Sequence, residues 1–154
     1  MVWKLHTTYT SKLPPETVWS YMTNYQPDDH TAEYYRNENK GEPWKREVRW
    51  VDDSHVEVTD TTKRWTGKIL VDLSAKPNQI TTTGTTTMGG WNGKTIVTRT
   101  PQGGTSWDFS LELAPKGFMK FLMMFIGGGM RKGFIAHGQQ HFNDMEKELG
   151  GGAS

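Results

Sequence analysis

The chain has 154 residues, with 18 Lys and Arg against 17 Asp and Glu, and no cysteine. That length suits one domain with a real core. A formal net charge of +1 gives no field to attract nucleic acid, and the missing thiols exclude disulfide and thiolate chemistry and fit a reducing, cytoplasmic setting. The N-terminus is polar by His6 and no run of ~18 apolar residues occurs, so neither a secretory signal nor a spanning helix is expected.

The apolar content is concentrated in large side chains: seven Trp, six Phe, five Tyr and eight Met. Aromatic and thioether groups supply much area per residue and fit irregular shapes, which suits either a core or the wall of a ligand cavity.

In chain order, Trp3, Leu5, Thr7 and Tyr9 alternate with Lys4, His6 and Thr8 and predict a first strand. Tyr9 to Asn24, YTSKLPPETVWSYMTN, then passes through Pro14-Pro15 into a short amphipathic helix. Asp28 to Gly41 is polar around a Tyr34-Tyr35 pair and reads as a second short helix plus loop. After Pro43, Arg46, Val48 and Trp50 share one face of a strand over Trp44 to Asp52. The Asp52-Asp53-Ser54 turn makes it a hairpin with His55 to Asp60. Trp65, Gly67, Ile69, Val71 and Leu73 give the next strand, which ends at Lys76-Pro77-Asn78. Thr81 to Thr87 is β-prone but polar on both faces. Gly89-Gly90 and Asn92-Gly93 supply turn chemistry before a strand over Lys94 to Thr100. Pro101-Gln102-Gly103-Gly104 leads to the last strand, Thr105 to Ala114, whose Trp107, Phe109, Leu111 and Leu113 alternate with Asp108, Ser110 and Glu112. Short strands joined by tight turns predict an antiparallel meander.

The C-terminal segment has two apolar phases. At ~100° per residue, Phe118, Phe121, Leu122 and Phe125 fall on one side, and Phe134, Gly138, Phe142, Met145 and Leu149 roughly opposite. One straight helix cannot present both to one core. Gly127-Gly128-Gly129 lies between them, and each glycine costs a helix roughly 1 kcal/mol relative to alanine. A break is therefore expected there, with a short helix from about Pro115 and a longer one from about Met130 to Leu149. Gly150 to Ser154 reads as a flexible tail.

Leu13-Pro14-Pro15-Glu16-Thr17-Val18-Trp19-Ser20-Tyr21-Met22-Thr23-Asn24 resembles the opening signature of the START/Bet v 1-like superfamily, also called SRPBCC or polyketide cyclase/dehydrase domains. The order of elements extends the resemblance over the whole chain. It implies an α+β helix-grip fold in which a curved antiparallel sheet of about seven strands wraps a long C-terminal helix, with two short helices after the first strand and residues 1–149 forming a single domain. It also implies a cavity between sheet and last helix for lipids, sterols, polyketides or other apolar molecules, and in some members cyclase, aromatase or condensing activity. Val51-Asp52-Asp53-Ser54-His55 stands where the plant allergen branch has a glycine-rich loop, so phosphate-cradling and plant-hormone roles are not implied.

The candidate chemistry is sparse. His137 and His141 stand four apart on the last helix, a spacing that can share a metal ion, but no Cys or other third ligand accompanies them and no dinucleotide or phosphate-loop pattern is present. No metal or cofactor is expected. His141 borders the apolar stripe and is the better acid/base candidate, its unperturbed pKa lying near neutrality. Arg46 is an inward cation if the face carrying Val48 and Trp50 is concave, with Arg49 the alternative. Asp108 and Glu112 should face solvent. Asp28, Asp29 and His30 read as a polar loop near a cavity mouth.

The expected function is binding or transport of an apolar small molecule or lipid, without catalysis. On the sheet, Trp50, Trp65, Ile69, Trp107 and Phe109 are expected to line the site. On the last helix, Phe134, His141 and Met145 join them. The first alternative is a cyclase- or aromatase-like enzyme using His141 and Arg46. A second is a co-chaperone-like interaction module that offers Phe118 to Ile126 to a protein or a membrane surface. The protein is expected to be a monomer or homodimer.

Overall fold

The computed structural model describes residues 2–27, 44–63 and 65–150. Among them, seven strands form one antiparallel sheet in the order β1-β7-β6-β5-β4-β3-β2. They are β1 (Trp3–Ser11), β2 (Trp44–Trp50), β3 (His55–Thr62), β4 (Thr66–Asp72), β5 (Gln79–Thr86), β6 (Gly89–Arg99) and β7 (Thr105–Pro115). A short helix, α1 (Pro15–Met22), follows β1, and a long one, α2 (Phe118–Leu149), ends the chain. The second short helix expected over Asp28 to Gly41 lies outside the described residues, as do Asp28, Asp29, His30 and the last four residues of the tail.

Alternation sets which side of each strand is covered. In β1, Trp3, Leu5 and Tyr9 are buried while Lys4, His6 and Thr8 are exposed. In β7, Leu111 and Leu113 are buried against Ser110 and Glu112. Register turns these alternations into rungs: Val48, Val58, Ile69, Gly84, Trp91, Leu113 and Trp3 lie side by side across the sheet on its inner face. The outer face is polar. Lys4 pairs with Glu112 at 3.1 Å, and His6 contacts Asp108.

Helix α1 starts where the sequence says it should, with Pro14 as an extended cap and Pro15 at the first helical position. Val18 is fully buried, and Trp19 and Met22 pack against the same cluster. The Thr105 hydroxyl, itself inaccessible, donates to Leu13 O at 2.8 Å and fixes the turn between β1 and α1 to β7.

Two expectations are overturned. Gly89-Gly90 and Asn92-Gly93 are not turns: the hairpin reverses at Thr87 and Met88, and β6 runs unbroken from Gly89 to Arg99. The polarity of GGWNGK hides a strand because its one large residue, Trp91, carries the whole inner face of that stretch. Nor does α2 break at the glycine triplet; it is continuous for 32 residues. The reason lies 124 positions away, where Trp3 Nε1 donates to Gly127 O at 3.1 Å. A Cβ on Gly127 would sit 3.0 Å from that nitrogen, so the glycine lets the indole of β1 press on the helix backbone. Arg131 seals the contact, stacking over the Trp3 ring and donating to Lys4 O at 2.7 Å. The helix keeps its hydrogen bonds and leaves its first apolar set, Phe118, Phe121 and Phe125, in solvent.

The buried side chains fall into two groups. Tyr9, Val18, Val56, Val58, Val71, Trp107, Phe142 and Met145 belong to one, and Trp3, Leu5, Leu111, Leu113 and Met123 to the other. Phe109 touches both.

Candidate functional site

Two adjoining cavities occupy the space between the sheet and α2, one of about 400 Å³ and one of about 290 Å³. Arg46, Trp91 and Phe134 border both. The larger lies at the end of the sheet where β2, β4 and β6 begin. Its walls are the rings of Trp44, Trp65, Trp91 and Phe134 with Ile69, Met88 and Leu113, and its polar groups are Arg46, Asp60, Thr62 and Thr86. The smaller lies further toward the C-terminus of the helix, among Tyr9, Met22, Tyr25, Trp107, Phe109 and Phe142, with His137, Gly138 and His141.

Small residues let these rings lie close to the backbone. A Cβ on Gly67 would come within 2.5 Å of the Trp65 ring, and one on Gly93 within 2.3 Å of Thr82 Oγ1. That threonine accepts from Trp91 Nε1 at 2.9 Å, so the indole of Trp91 is held across the chamber wall by a bond from the otherwise polar β5. On the helix side, Gly138 faces the Tyr9 ring, whose hydroxyl donates to Phe134 O and Ile135 O at 3.3 and 3.1 Å. Burial pushes the Tyr9 phenol above its ordinary pKa, and it stays protonated as a donor.

Arg46 is the inward arginine. Its Nε and Nη2 donate to Asp60 Oδ1 and Oδ2 at 2.7 and 2.8 Å, a fork-to-fork pair in which the arginine is buried and the aspartate side chain largely so. The two residues stand directly opposite in the β2–β3 register. Arg49 points outward to Glu57 at 3.3 Å. Two of the guanidinium nitrogens are thus committed to a carboxylate of the protein itself, and the cavity wall carries a compensated ion pair rather than a bare cation.

His137 and His141 point their rings at one another. Their Nε2 atoms are 2.9 Å apart and the rings meet edge to face. Such a contact needs one ring to donate its proton to the lone pair of the other. Burial lowers the His137 pKa from 6.5 to about 4, so it is neutral at pH 7. Among the described residues no group of three or more His, Cys, Asp or Glu side chains is arranged to hold a metal ion.

The sequence-derived set divides as follows. Trp65, Ile69 and Phe134 border the larger cavity, and Trp107, Phe109, Phe134 and His141 the smaller. Met145 is completely buried in the packed core behind the smaller cavity, and Trp50, at the far end of the edge strand, is 45% exposed; neither borders a cavity. Sequence reasoning passed over Trp91, Tyr9 and Asp60. The signal for Asp60 was available, because a turn centred on Asp53 sets Arg46 opposite it. Trp91 could be found by asking what Gly93 makes room for.

A strongly bent antiparallel sheet closed on one long helix defines the helix-grip class of α+β folds. No protein-family model matches the chain, and no curated protein matches it at a significant level. Solved structures do. The aromatase/cyclase Zhui from Streptomyces sp. R1128 superposes with a TM-score of 0.68 at 11% identity, over 97% of this chain and 96% of that one. A norcoclaurine synthase point mutant from Thalictrum flavum, in complex with a transition-state analogue, gives 0.67 at 12% identity, over 97% and 96%. A START superfamily protein from Mycobacterium smegmatis gives 0.60 at 14%, over 92% and 98%. The chain therefore has the START/Bet v 1-like, or SRPBCC, fold, as the Leu13 to Asn24 segment led one to expect.

Proposed function

We propose that the protein binds an apolar small molecule or lipid in the paired cavities between the sheet and α2. The observation that carries the reading is a ring-lined space of about 400 Å³ joined to a second of about 290 Å³, both walled mainly by carbon. Small-molecule sites commonly run roughly 300–1,000 Å³ with few polar groups. Binding would draw on apolar area removed from water, at roughly 25 cal/mol per Å² before the costs of association. Arg46 is already neutralised by Asp60, and the hydroxyls of Thr62 and Thr86 already donate to Trp65 O and Gly89 O and accept from Trp65 N and Met88 N, so the favoured ligand is mainly apolar and any polar group it carries is uncharged. A free carboxylate would have to compete with Asp60.

The test is native mass spectrometry of the purified protein, then denaturing extraction and identification of what co-purifies. A discrete retained apolar molecule is the expected result. A clean unliganded mass, together with failure to take up a hydroxylated fluorescent lipid, would sink the reading.

The imidazole pair supports a second reading, a cyclase-like enzyme. A neutral His137 sharing a proton with His141 beside an aromatic chamber has the means to pass a proton to or from a bound polyketone. Under this reading His141→Phe abolishes turnover and leaves ligand retention in place, whereas under the carrier reading nothing is turned over to begin with.

A further inference from the structure

The outer face of the first turns of α2 is chemically unlike the rest of the surface. Phe118, Met124 and Phe125 are 71–72% exposed and Phe121 58%. The three phenylalanines form a ladder in which Phe121 meets Phe118 at 6.2 Å and Phe125 at 5.2 Å between ring centroids. Only Met123 and Gly127 of this stretch are buried. The ladder is therefore preformed on a helix anchored from behind, and it keeps its apolar area in water.

The charge of its own stretch of chain is one-sided. From Leu113 to Asn143 the sequence holds no Asp or Glu, but it holds Lys116, Lys120, Arg131 and Lys132. The nearest preceding carboxylate, Glu112, is paired with Lys4. Exposed rings on a stretch of chain whose charged residues are all cationic suit an interface in which rings enter an apolar layer and ammonium groups, on stems long enough to reach around the helix, meet anionic head groups. A second copy of the chain fits poorly, because a two-fold contact through this face would bring lysines together without carboxylates to meet them. No described helix is long and apolar enough to cross a membrane.

Position supplies the third argument. Register places Trp3, Trp44, Thr62, Thr86, Gly89 and Pro115 at one end of the sheet, and α2 begins three residues beyond Pro115. The larger cavity, lined by Trp44, Thr62, Thr86 and Met88, lies at this same end. We propose that Phe118, Phe121, Met124 and Phe125, with Lys116, Lys120 and Lys132, dock the protein on an anionic lipid surface and present the larger cavity toward the bilayer from which its ligand is drawn. The purpose of the docking rests on the carrier reading; the docking itself does not.

The experiment is flotation with phosphatidylcholine vesicles, with and without a minority of phosphatidylglycerol, at low and high salt. Wild type should partition onto the anionic vesicles and release as salt rises. Replacing Lys116 and Lys120 by Glu should weaken this by roughly fivefold or more per lysine. The double variant Phe121→Ser, Phe125→Ser should lose at least about tenfold through the apolar area withdrawn. Circular dichroism and thermal midpoints verify that both variants fold. The proposal is overturned if wild type ignores the anionic vesicles, if it binds neutral vesicles equally well, or if either variant floats like wild type. It is equally overturned if the variants abolish self-association in sedimentation velocity while no protein floats. Native mass spectrometry on the serine variant keeps the two readings apart: lost flotation with ligand retained fits the docking and leaves the carrier intact, whereas flotation by a wild type that never holds a ligand removes the carrier reading alone.

Discussion

The two ends of α2 use the same kinds of residue to opposite ends. Toward its C-terminus, Phe142 and Met145 are buried among Tyr9, Val18 and Trp107, and Tyr9 stacks on Phe142 at 5.2 Å between centroids. Toward its N-terminus, three phenylalanines and a methionine stand in water. Composition alone cannot separate the two, since both are rich in Phe and Met. What separates them is angular phase relative to the one surface the sheet offers, and the sheet offers only one. An apolar residue is core when its phase matches the grip, and otherwise it is surface with a use to be found.

That contrast yields graded expectations. The largest effect belongs to the buried ion pair beside the gripped half: Arg46→Ala leaves Asp60 a buried charge without its fork partner and should cost ~3–5 kcal/mol in urea unfolding. The double change Arg46→Met, Asp60→Leu should recover most of this. If the single variant costs under ~1 kcal/mol, the pair is not the desolvated unit described.

Met145→Ala comes next, at ~2–5 kcal/mol, because the site is enclosed on all sides and a cavity would remain. A loss no greater than that of a surface position would mean that the C-terminal half is not gripped.

The third expectation concerns pH. His137 has a folded pKa of about 4, below its ordinary 6.5, so the unfolded chain binds the proton more readily. Its contribution to stability is complete above about pH 6.5 and is lost as pH falls toward 4, amounting to ~3 kcal/mol at about 1.4 kcal/mol per pH unit. His55, held by Asp52 and Asp72, has a raised pKa and acts in the opposite sense, stabilising at low pH and losing that contribution as pH rises through its folded value. The measurement is therefore a difference: the slope of stability against pH between 6.5 and 5 should be shallower in His137→Gln than in wild type. Equal slopes would refute the half-buried, neutral His137.

The smallest effect sharpens the comparison from the other side. Phe121→Ser should change thermal stability by no more than about 0.5 kcal/mol, as expected for an exposed position. A large loss would show that the ladder is core after all.

Much of this was legible in the sequence because a strand needs only its own alternation. Trp3 to Tyr9 and Thr105 to Ala114 announce which face is buried without reference to anything distant. The continuity of α2 was not legible, because the opposing phases of Phe125 and Phe142 are real but the helix between them is kept whole by Trp3, far away in sequence. The site divides the same way. Trp65, Ile69, Trp107, Phe109 and Phe134 follow from local periodicity, whereas Trp91 sits in a polar, glycine-rich stretch and depends on Thr82 of the neighbouring strand to hold its ring. Trp50 keeps the correct alternation but stands at the end of an edge strand, where alternation no longer guarantees cover.

The strand order carries a consequence for how the molecule comes together. Five of the six strand pairings join neighbours in sequence, and one, β1 on β7, does not. It brings Trp3 beside Leu113. Short loops close cheaply, and a closure across most of the chain costs more entropy before any contact rewards it. The meander from β2 to β7 can therefore zip by successive hairpins, but β1 must wait. Since α2 rests chiefly on β1, through Trp3 and Tyr9, the helix has no seat until that strand arrives. The ring-lined chambers are then expected to assemble late in folding, and substitutions at Trp3 should slow refolding only as far as that docking already belongs to the transition state.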